Sequence, residues 1–344
     1  MNHDKRTVGI LCALAAVLLL LGFLYQKKTA AGQGMEPVTA QGFKLNTIVT
    51  VTLYDSDDKA LAEEALALCD QYEKLFSRTL SSSELYRLNQ RNLPSSDGWY
   101  TLSDETADLI AAGLHYSALS QGAFDLTIEP VSSLWDFTSE EKTVPEASAI
   151  EAALPLVDYT QVSLSGNQIR FGSPGMGIDL GAVAKGYIAD RIKDFLLENG
   201  VRSGIINLGG NVLCIGERPD DKPFKIGIQK PFADRSETLC TVDITDRSVV
   251  SSGIYERCFE LDGQFYHHLL NPSTGYPYDN GLVSVTILSD SSADGDGLST
   301  SCFALGLEKG LELINSLEDI EAIFVTDDYE IYYSDDFEDA VTLS

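Results

Sequence analysis

The chain is poor in positive charge. Only 24 Lys and Arg stand against 52 Asp and Glu, a net charge of −28 over 344 residues. The first 28 residues hold four of the bases and one acid, so the remainder is more acidic still. Such a surface repels a phosphate backbone and excludes nucleic acid as a partner. A phosphate-bearing small molecule would need a local cationic site or a divalent cation. Cysteine is sparse and scattered: Cys12, Cys69, Cys214, Cys240, Cys258 and Cys302 form no C-x-x-C pair. That spacing excludes a zinc ribbon, and the odd five beyond the N-terminal segment argue against a disulfide framework. They read as small buried apolar residues. Neither the phosphate loop G-x-x-x-x-G-K-[ST] nor the dinucleotide fingerprint G-x-G-x-x-G is present, and no repeat of fixed period or low-complexity segment is found.

One long apolar run is present. Val8 to Tyr25 carries no charge and lies between Lys5-Arg6 and Lys27-Lys28. As a helix its 18 residues span about 27 Å, close to the hydrocarbon thickness of a bilayer. The expectation is a transmembrane anchor or uncleaved signal over 1–28, with the Ala30-Ala31-Gly32 stretch leaving cleavage open. Cys12 lies inside the run, not after it, so no lipoprotein cysteine is offered. The flanking bases are nearly balanced and orient the span only weakly; export of the acidic part to the extracytoplasmic side of the cell membrane is the expected outcome. Residues 29–42, small, polar and glycine-containing, read as a linker, and 43–344 as a single domain.

Within that domain "NTIVTVTLY" (46–54) alternates as a half-buried strand. Asp55-Ser-Asp-Asp offers an N-cap to a helix whose apolar stripe runs from Leu61 to Phe76. Ser81 with Glu84 reads as a capping box, and Ser103 and Gly122 bracket another helix. A hairpin is expected around Gly166-Asn167. Short strands follow at 205–208, 211–216, 224–229, 238–244, 248–252, 257–261, 264–270 and 282–289, then helices near 297–305 and 307–317 and a final hairpin. This order is no regular β-α-β alternation; it predicts an α+β fold with mixed, largely antiparallel sheets packed with helices.

Four stretches could carry chemistry. In "GIDLGAVAKGYIADRI" (177–192) a strand is expected over 177–180, with a helix starting at Gly181. Free N–H groups there, with Lys185 one turn in, suit an anion; Asp179 suits a hydroxyl, a base N–H or a metal. A capping aspartate and a solvent-facing lysine would give the same pattern. The Gly-Gly of "INLGGNV" marks a tight turn or a close backbone approach. His267 and His268, on a strand, would face opposite ways, so at most one serves a given site; a neutral imidazole there could accept a hydroxyl proton, or be purely structural. In "SSADGDGLSTSCFALG" (291–306), Asp296 and Thr300 fall on one helix face if the helix begins at Gly297. Their oxygens suit a hard cation such as Mg²⁺, although an N-cap and a mid-helix threonine explain them equally.

Taken in order, "FSRTLSSSELYRLN", "GAFDLTIEPVSSLWDF", "IDLGAVAKGYIAD", "INLGGNV", "SSGIYER", "HHLLNPSTGYP" and "ADGDGLSTSCFALG" resemble the FAD:protein FMN transferases, the ApbE-type flavin transferases also described as thiamine-biosynthesis lipoproteins. The resemblance spans about 43 to 306. It implies binding of Mg²⁺ and FAD, cleavage of the FAD pyrophosphate, attachment of FMN through a phosphoester to a Thr or Ser of an exported acceptor protein, and release of AMP. It further implies that Ala123, Phe124 and Asp125 line the flavin and adenosine cleft, that Asp179 and Lys185 contact FAD, and that Leu270 does so through its backbone. Asp296 and Thr300 would bind Mg²⁺ by side chain and Ala182 by its carbonyl. His268 matches the histidine of the H-x-x-[DN]-P-x-T-G motif and would act as the base. Thr79 stands where the family often has an aromatic, Ser299 where some members have an acid, and "LNT" (45–47) where Met-Gly-Thr is common. The same residues would equally serve a Mg²⁺-dependent FAD pyrophosphatase, and a flavin-binding surface protein without turnover would need only some of them.

Overall fold

Eight strands form one sheet and follow one another across it in chain order. They are β1 (Val38–Lys44), β2 (Thr47–Leu53), β3 (Gly204–Leu208), β4 (Asn211–Ile215), β5 (Ser248–Gly253), β6 (Leu282–Ser289), β7 (Glu321–Thr326) and β8 (Ile331–Tyr333). Each neighbouring pair is antiparallel. The computed structural model describes residues 36–343 apart from 235, 236, 336 and 341. The expected membrane span lies outside the described residues, and among these no helix is long and apolar enough to cross a membrane. The linker expected over 29–42 is shorter than that at its C-terminal end. Residues 38–42 already pair with β2, Ala40 opposite Val51, because Ala40 packs into the core while its neighbours face out.

The insertions between strands build the rest. Between β2 and β3 lie helices α1 (Lys59–Phe76), α2 (Glu84–Asn89), α3 (Asp104–Leu119), α4 (Glu129–Ser132), α5 (Ala147–Ala153) and α6 (Ala184–Glu198). The same insertion holds a four-stranded sheet that contains the hairpin predicted at Gly166-Asn167. Between β4 and β5 a hairpin of Phe224–Gln229 and Thr238–Ile244 forms a second layer, extended by Thr342–Leu343. The hairpin of Cys258–Leu261 and Gln264–His267 follows β5. Helices α7 (Ser292–Leu305) and α8 (Leu307–Asn315) join β6 to β7.

Alternation along the strands explains the layering. Val49, Val51 and Leu53 of β2, with Ile206, Leu208, Leu213 and Ile215, pack against the helices. Val212, Cys214, Val249, Ile323 and Val325 face the other way, onto Phe224, Ile226, Ile228, Val242 and Ile244. The five described cysteines are all free, three of them buried.

Several local expectations shift. Asp58 caps α1, accepting from the Leu61 N–H. Ser83, not Ser81, caps α2, and Glu84 reaches forward to the N–H and Oγ of Ser103 rather than back in a capping box. Residues 177–180 form no strand and pair in no sheet. They are held instead by Asn89, whose side chain bonds both the N–H and the carbonyl of Ile178, and by the Asp179 N–H donating to Leu126. Helix α6 begins at Ala184, not Gly181, and α7 begins at Ser292, five residues before Gly297, with Ser291 as its cap.

Candidate active site

A cleft of about 970 Å³ opens between the β1–β2 turn, the segment from Ala123 through α4, the start of α6, the end of β5 and the loop after His267. That is the size of a site for a cofactor-scale molecule. All ten positions singled out from the sequence line it: Ala123, Phe124, Asp125, Asp179, Ala182, Lys185, His268, Leu270, Asp296 and Thr300.

Asp296 owes its place to a helix crossing. A Cβ on Gly186 would lie 2.1 Å from the Ser292 carbonyl oxygen, so only glycine lets α6 lie this close to the first turn of α7. Asp190, one turn further along α6, accepts from the N–H groups of Ser292 (2.8 Å) and Ala293 (2.9 Å) and from Ser291 Oγ (2.9 Å), and so fastens the crossing. The Gly186 N–H then lies 2.5 Å from Asp296 Oδ2. In an uninterrupted helix that N–H would bond the carbonyl four residues back, Ala182; here the Ala182 carbonyl receives no such donor. Asp296 Oδ1 accepts from Asn211 Nδ2 at 3.0 Å, and Asn211 Oδ1 accepts from Ser292 Oγ at 2.8 Å. Asp296 is only 5% exposed. Burial pushes its carboxyl pKa up, against the opposing pull of Lys185, the Gly186 N–H and Asn211. Thr300 lies one turn on, its Oγ1 3.2 Å from Ser252 Oγ.

The donor set is therefore one carboxylate, one hydroxyl and one carbonyl relieved of its helix bond. Among the described residues no group of three or more His, Cys, Asp or Glu could hold a metal. This is no cage for a fully protein-bound ion. All-oxygen donors of low total charge fit Mg²⁺, which keeps waters and completes its shell with ligand phosphates.

The cations in the cleft are Arg78, Lys185 and Arg257. Asp179, expected beside a ligand, is also an anchor. Its Oδ2 accepts from Ser132 Oγ at 2.7 Å and pairs with Arg78 Nε at 3.1 Å, while Oδ1 accepts from the Gly181 N–H at 2.9 Å. The Asp125 carboxylate is turned to its own chain, accepting from Thr127 N–H and Oγ1 and from the Tyr159 N–H, so it shapes the wall rather than offering a free acid. Tyr278 donates to the Ala123 carbonyl at 2.7 Å and holds the same wall. The Leu270 N–H and carbonyl make no hydrogen bond among the described residues, so its backbone is available to a ligand. The Gly-Gly turn is both tight and closely approached: Gly209 has φ +67°, and a Cβ there would meet Thr47 Oγ1 at 2.1 Å.

The two histidines divide as anticipated. His267 is structural. It is buried, its Nδ1 accepts from the Leu269 N–H (3.3 Å), so its Nε2 carries the proton and donates to the Tyr278 carbonyl (2.9 Å). His268 lines the cleft, and its Nδ1 is enclosed without a partner. Desolvation, then the nearby Arg257, His267 and Lys185, hold its pKa down at about 3. It is a neutral imidazole at physiological pH.

Sequence reading missed Arg78, Ser252, Arg257, Tyr278 and Asn211. Arg78, Ser252, Arg257 and Asn211 lie in stretches that had been noted, but one arginine or serine in a loop has no periodicity to mark it. A buried amide such as Asn211 becomes visible only with its partners.

Residues 45–324 match the ApbE family. A relative from Klebsiella pneumoniae (strain 342), called FAD:protein FMN transferase, is 40% identical over 288 residues, 83% of this chain and 88% of the relative. One of the same name from Treponema pallidum (strain Nichols) is 30% identical over 306 residues, 83% of this chain and 84% of its own. Among solved structures, the flavin transferase ApbE from Vibrio cholerae superposes with a TM-score of 0.79 at 27% identity, over 88% of this chain and 99% of that one. The Thermotoga maritima ApbE protein does so with a TM-score of 0.80 at 30% identity, over 88% and 98%.

Proposed function

Because this chain belongs to the ApbE family, we propose that it is an FAD:protein FMN transferase that works with Mg²⁺, joins FMN to a Thr or Ser hydroxyl of an exported acceptor protein, and releases AMP. The observation that carries the reading is the meeting in one cleft of three unlike groups: the oxygen donors around Asp296, the cation Lys185, and the neutral imidazole of His268. Lys185 is near enough to lower the pKa of both Asp296 and His268, which places the three groups within one electrostatic neighbourhood. On a chain of net charge −28 a diphosphate has little reason to settle anywhere else.

In this reading Ala182, Asp296 and Thr300 would hold Mg²⁺, which when bound neutralises phosphoryl charge in the manner of other phosphoryl transfers. Lys185 binds the diphosphate, with Arg78 beside Asp179 as a second cation. Ala123, Phe124 and Asp125 form the wall for the rings, fixed from behind by Tyr278, and the free backbone of Leu270 supplies polar contacts. His268 accepts the proton of the acceptor hydroxyl as its oxygen forms the new bond to the FMN phosphorus. The bond from that phosphorus to the AMP oxygen breaks, and AMP leaves. With Arg257 and Lys185 partly neutralised by the bound diphosphate, the imidazole gains basicity where it is needed. The apolar run Val8–Tyr25 supports a membrane-anchored enzyme acting on the extracytoplasmic side.

The test is the intact mass of a candidate exported acceptor incubated with the chain, FAD and Mg²⁺. A gain of one FMN with equimolar AMP, absent in EDTA and with Asp296→Ala, is expected. AMP without mass gain would mean hydrolysis, and neither product would leave binding alone.

A further inference from the structure

A protein substrate must be held as well as modified, and the wall bearing His268 carries aromatic rings that the core does not use. Phe232 and Phe265 are 53% and 40% exposed, high values for phenylalanine. They come from different hairpins, yet their ring centroids are 5.8 Å apart. Phe232 also packs edge-on against Tyr255 at 5.9 Å, and Tyr255 lines the cleft. Phe265 lies 6.1 Å from the ring of His267, next to His268. The cluster thus meets the cleft through Tyr255, beside Arg257, and Phe265 stands on the strand Gln264–His267 that leads into His268. Phe232 holds φ +58°, a backbone region that bulky residues avoid, and its ring faces solvent rather than filling a void that would compensate for it. Trp135 and Tyr266, by contrast, pack into a core cluster with Val131, Ile150 and Phe259.

We propose that Phe232 and Phe265, with Tyr255 at the cleft edge, are the docking surface for the acceptor polypeptide, and that they take an apolar side chain flanking the modified Thr or Ser. This rests on the transferase reading above. Reach sets the spacing. Phe265 precedes His268 by three residues, about 10 Å of extended chain, so an extended acceptor with its hydroxyl at His268 places a residue two or three positions away over the rings. Charge gives this patch no part in recognition, since its exposed groups are the uncharged rings of Phe232 and Phe265, so an apolar side chain is what it can take out of water.

The experiment uses the full chain with FAD, Mg²⁺ and a peptide library in which a central Thr is flanked by three randomised residues on each side. FMN-bearing peptides are sequenced by mass spectrometry. Wild type is expected to enrich Leu, Ile, Val, Met or Phe at least fivefold at one position two or three residues from Thr. Phe232→Ser with Phe265→Ser should bring that enrichment to near unity while leaving the dissociation constant for FAD within twofold. Phe232→Tyr with Phe265→Tyr should restore it, which separates lost docking from lost folding. Labelling without apolar enrichment in wild type, or equal enrichment in the serine variant, would overturn the proposal and leave the transferase standing. No labelled peptide from wild type would count against the transferase reading, and this inference would fall with it.

Discussion

The backbone amide of Gly186 donates to Oδ2 of Asp296 across the α6–α7 crossing, at 2.5 Å. The same residue has no room for a side chain, since a Cβ would sit 2.1 Å from the Ser292 oxygen and 2.7 Å from the Ala293 Cα, both backbone atoms that cannot swing away. Glycine to alanine in a helix interior ordinarily stabilises by about 0.5–1 kcal/mol. At Gly186 the sign should reverse. Overpacking of this kind costs about 1–3 kcal/mol, so Gly186→Ala should lower the denaturation midpoint and weaken Mg²⁺ binding together. A stabilised variant with full metal affinity would show that the crossing can relax.

Among the described residues, Asn211 is the one side chain that donates to the Asp296 carboxylate. Its own oxygen is occupied by Ser292, so its amide cannot flip without losing both bonds. Asn211→Ala leaves a buried carboxylate oxygen without that donor and frees the carboxylate to rotate. Loss of such a supporting contact typically costs 10- to 100-fold in metal affinity. Calorimetric titration with Mg²⁺ should show a fall of that order, while His268→Gln, which touches neither group, should keep the wild-type value.

The contrast between these two residues shows what the sequence could reveal. Strands β2 and β6 and helix α1 were legible because the period of their apolar residues is a one-dimensional signal, and the antiparallel class followed from short strands with short spacers. Asp296 and Thr300 were rightly paired at i and i+4, but the helix start was misplaced. The polar run Ser291-Ser-Ala-Asp looks like loop until Asp190 of another helix is seen capping it. Residues 177–180 were read as a strand because they are apolar and precede a helix, whereas their backbone groups go to Asn89 and Leu126, almost 90 and about 50 residues earlier. Site positions that sit in motifs could be named; those that act through a neighbour from a distant segment, Arg78 on Asp179 or Tyr278 on Ala123, could not.

Lys185 should matter through charge rather than shape. It is half-buried in the cleft and forms no ion pair among the described residues, so although its field already reaches Asp296, its ammonium has donors left for an arriving anion. Hydrogen bonds to charged groups contribute about 1.5–3 kcal/mol, and Lys185→Met should raise the FAD dissociation constant roughly 10- to 100-fold. Flavin fluorescence titrations at several salt concentrations provide the check. The variant should lose part of the salt dependence seen in wild type, and Lys185→Arg, which keeps the charge, should retain it. Equal salt slopes in Lys185→Met and wild type would remove Lys185 from the phosphate contact.

The two adjacent histidines should make the fold sensitive to mild acid. Burial first, then neighbouring cations, holds His268 at about 3, and burial holds His267 at about 4, both below the ordinary value of 6.5. As pH falls through 6.5 the unfolded chain takes up two protons that the folded chain refuses. Stability is therefore lost on acidification from about pH 6.5 down to the folded values, and no further loss from this source occurs below them. The buried carboxyls of Asp125, Asp190 and Asp296 are shifted up and act with the opposite sign, since their folded forms take up protons first. Comparing His268→Gln with wild type cancels those contributions. Each refused proton has a limiting slope of about 1.4 kcal/mol per pH unit, so the variant's unfolding free energy should fall less steeply than wild type between pH 6.5 and 5 by an amount approaching that slope. Parallel curves would mean that His268 takes up its proton in the folded protein as it does in the unfolded chain, and that burial does not keep its imidazole neutral.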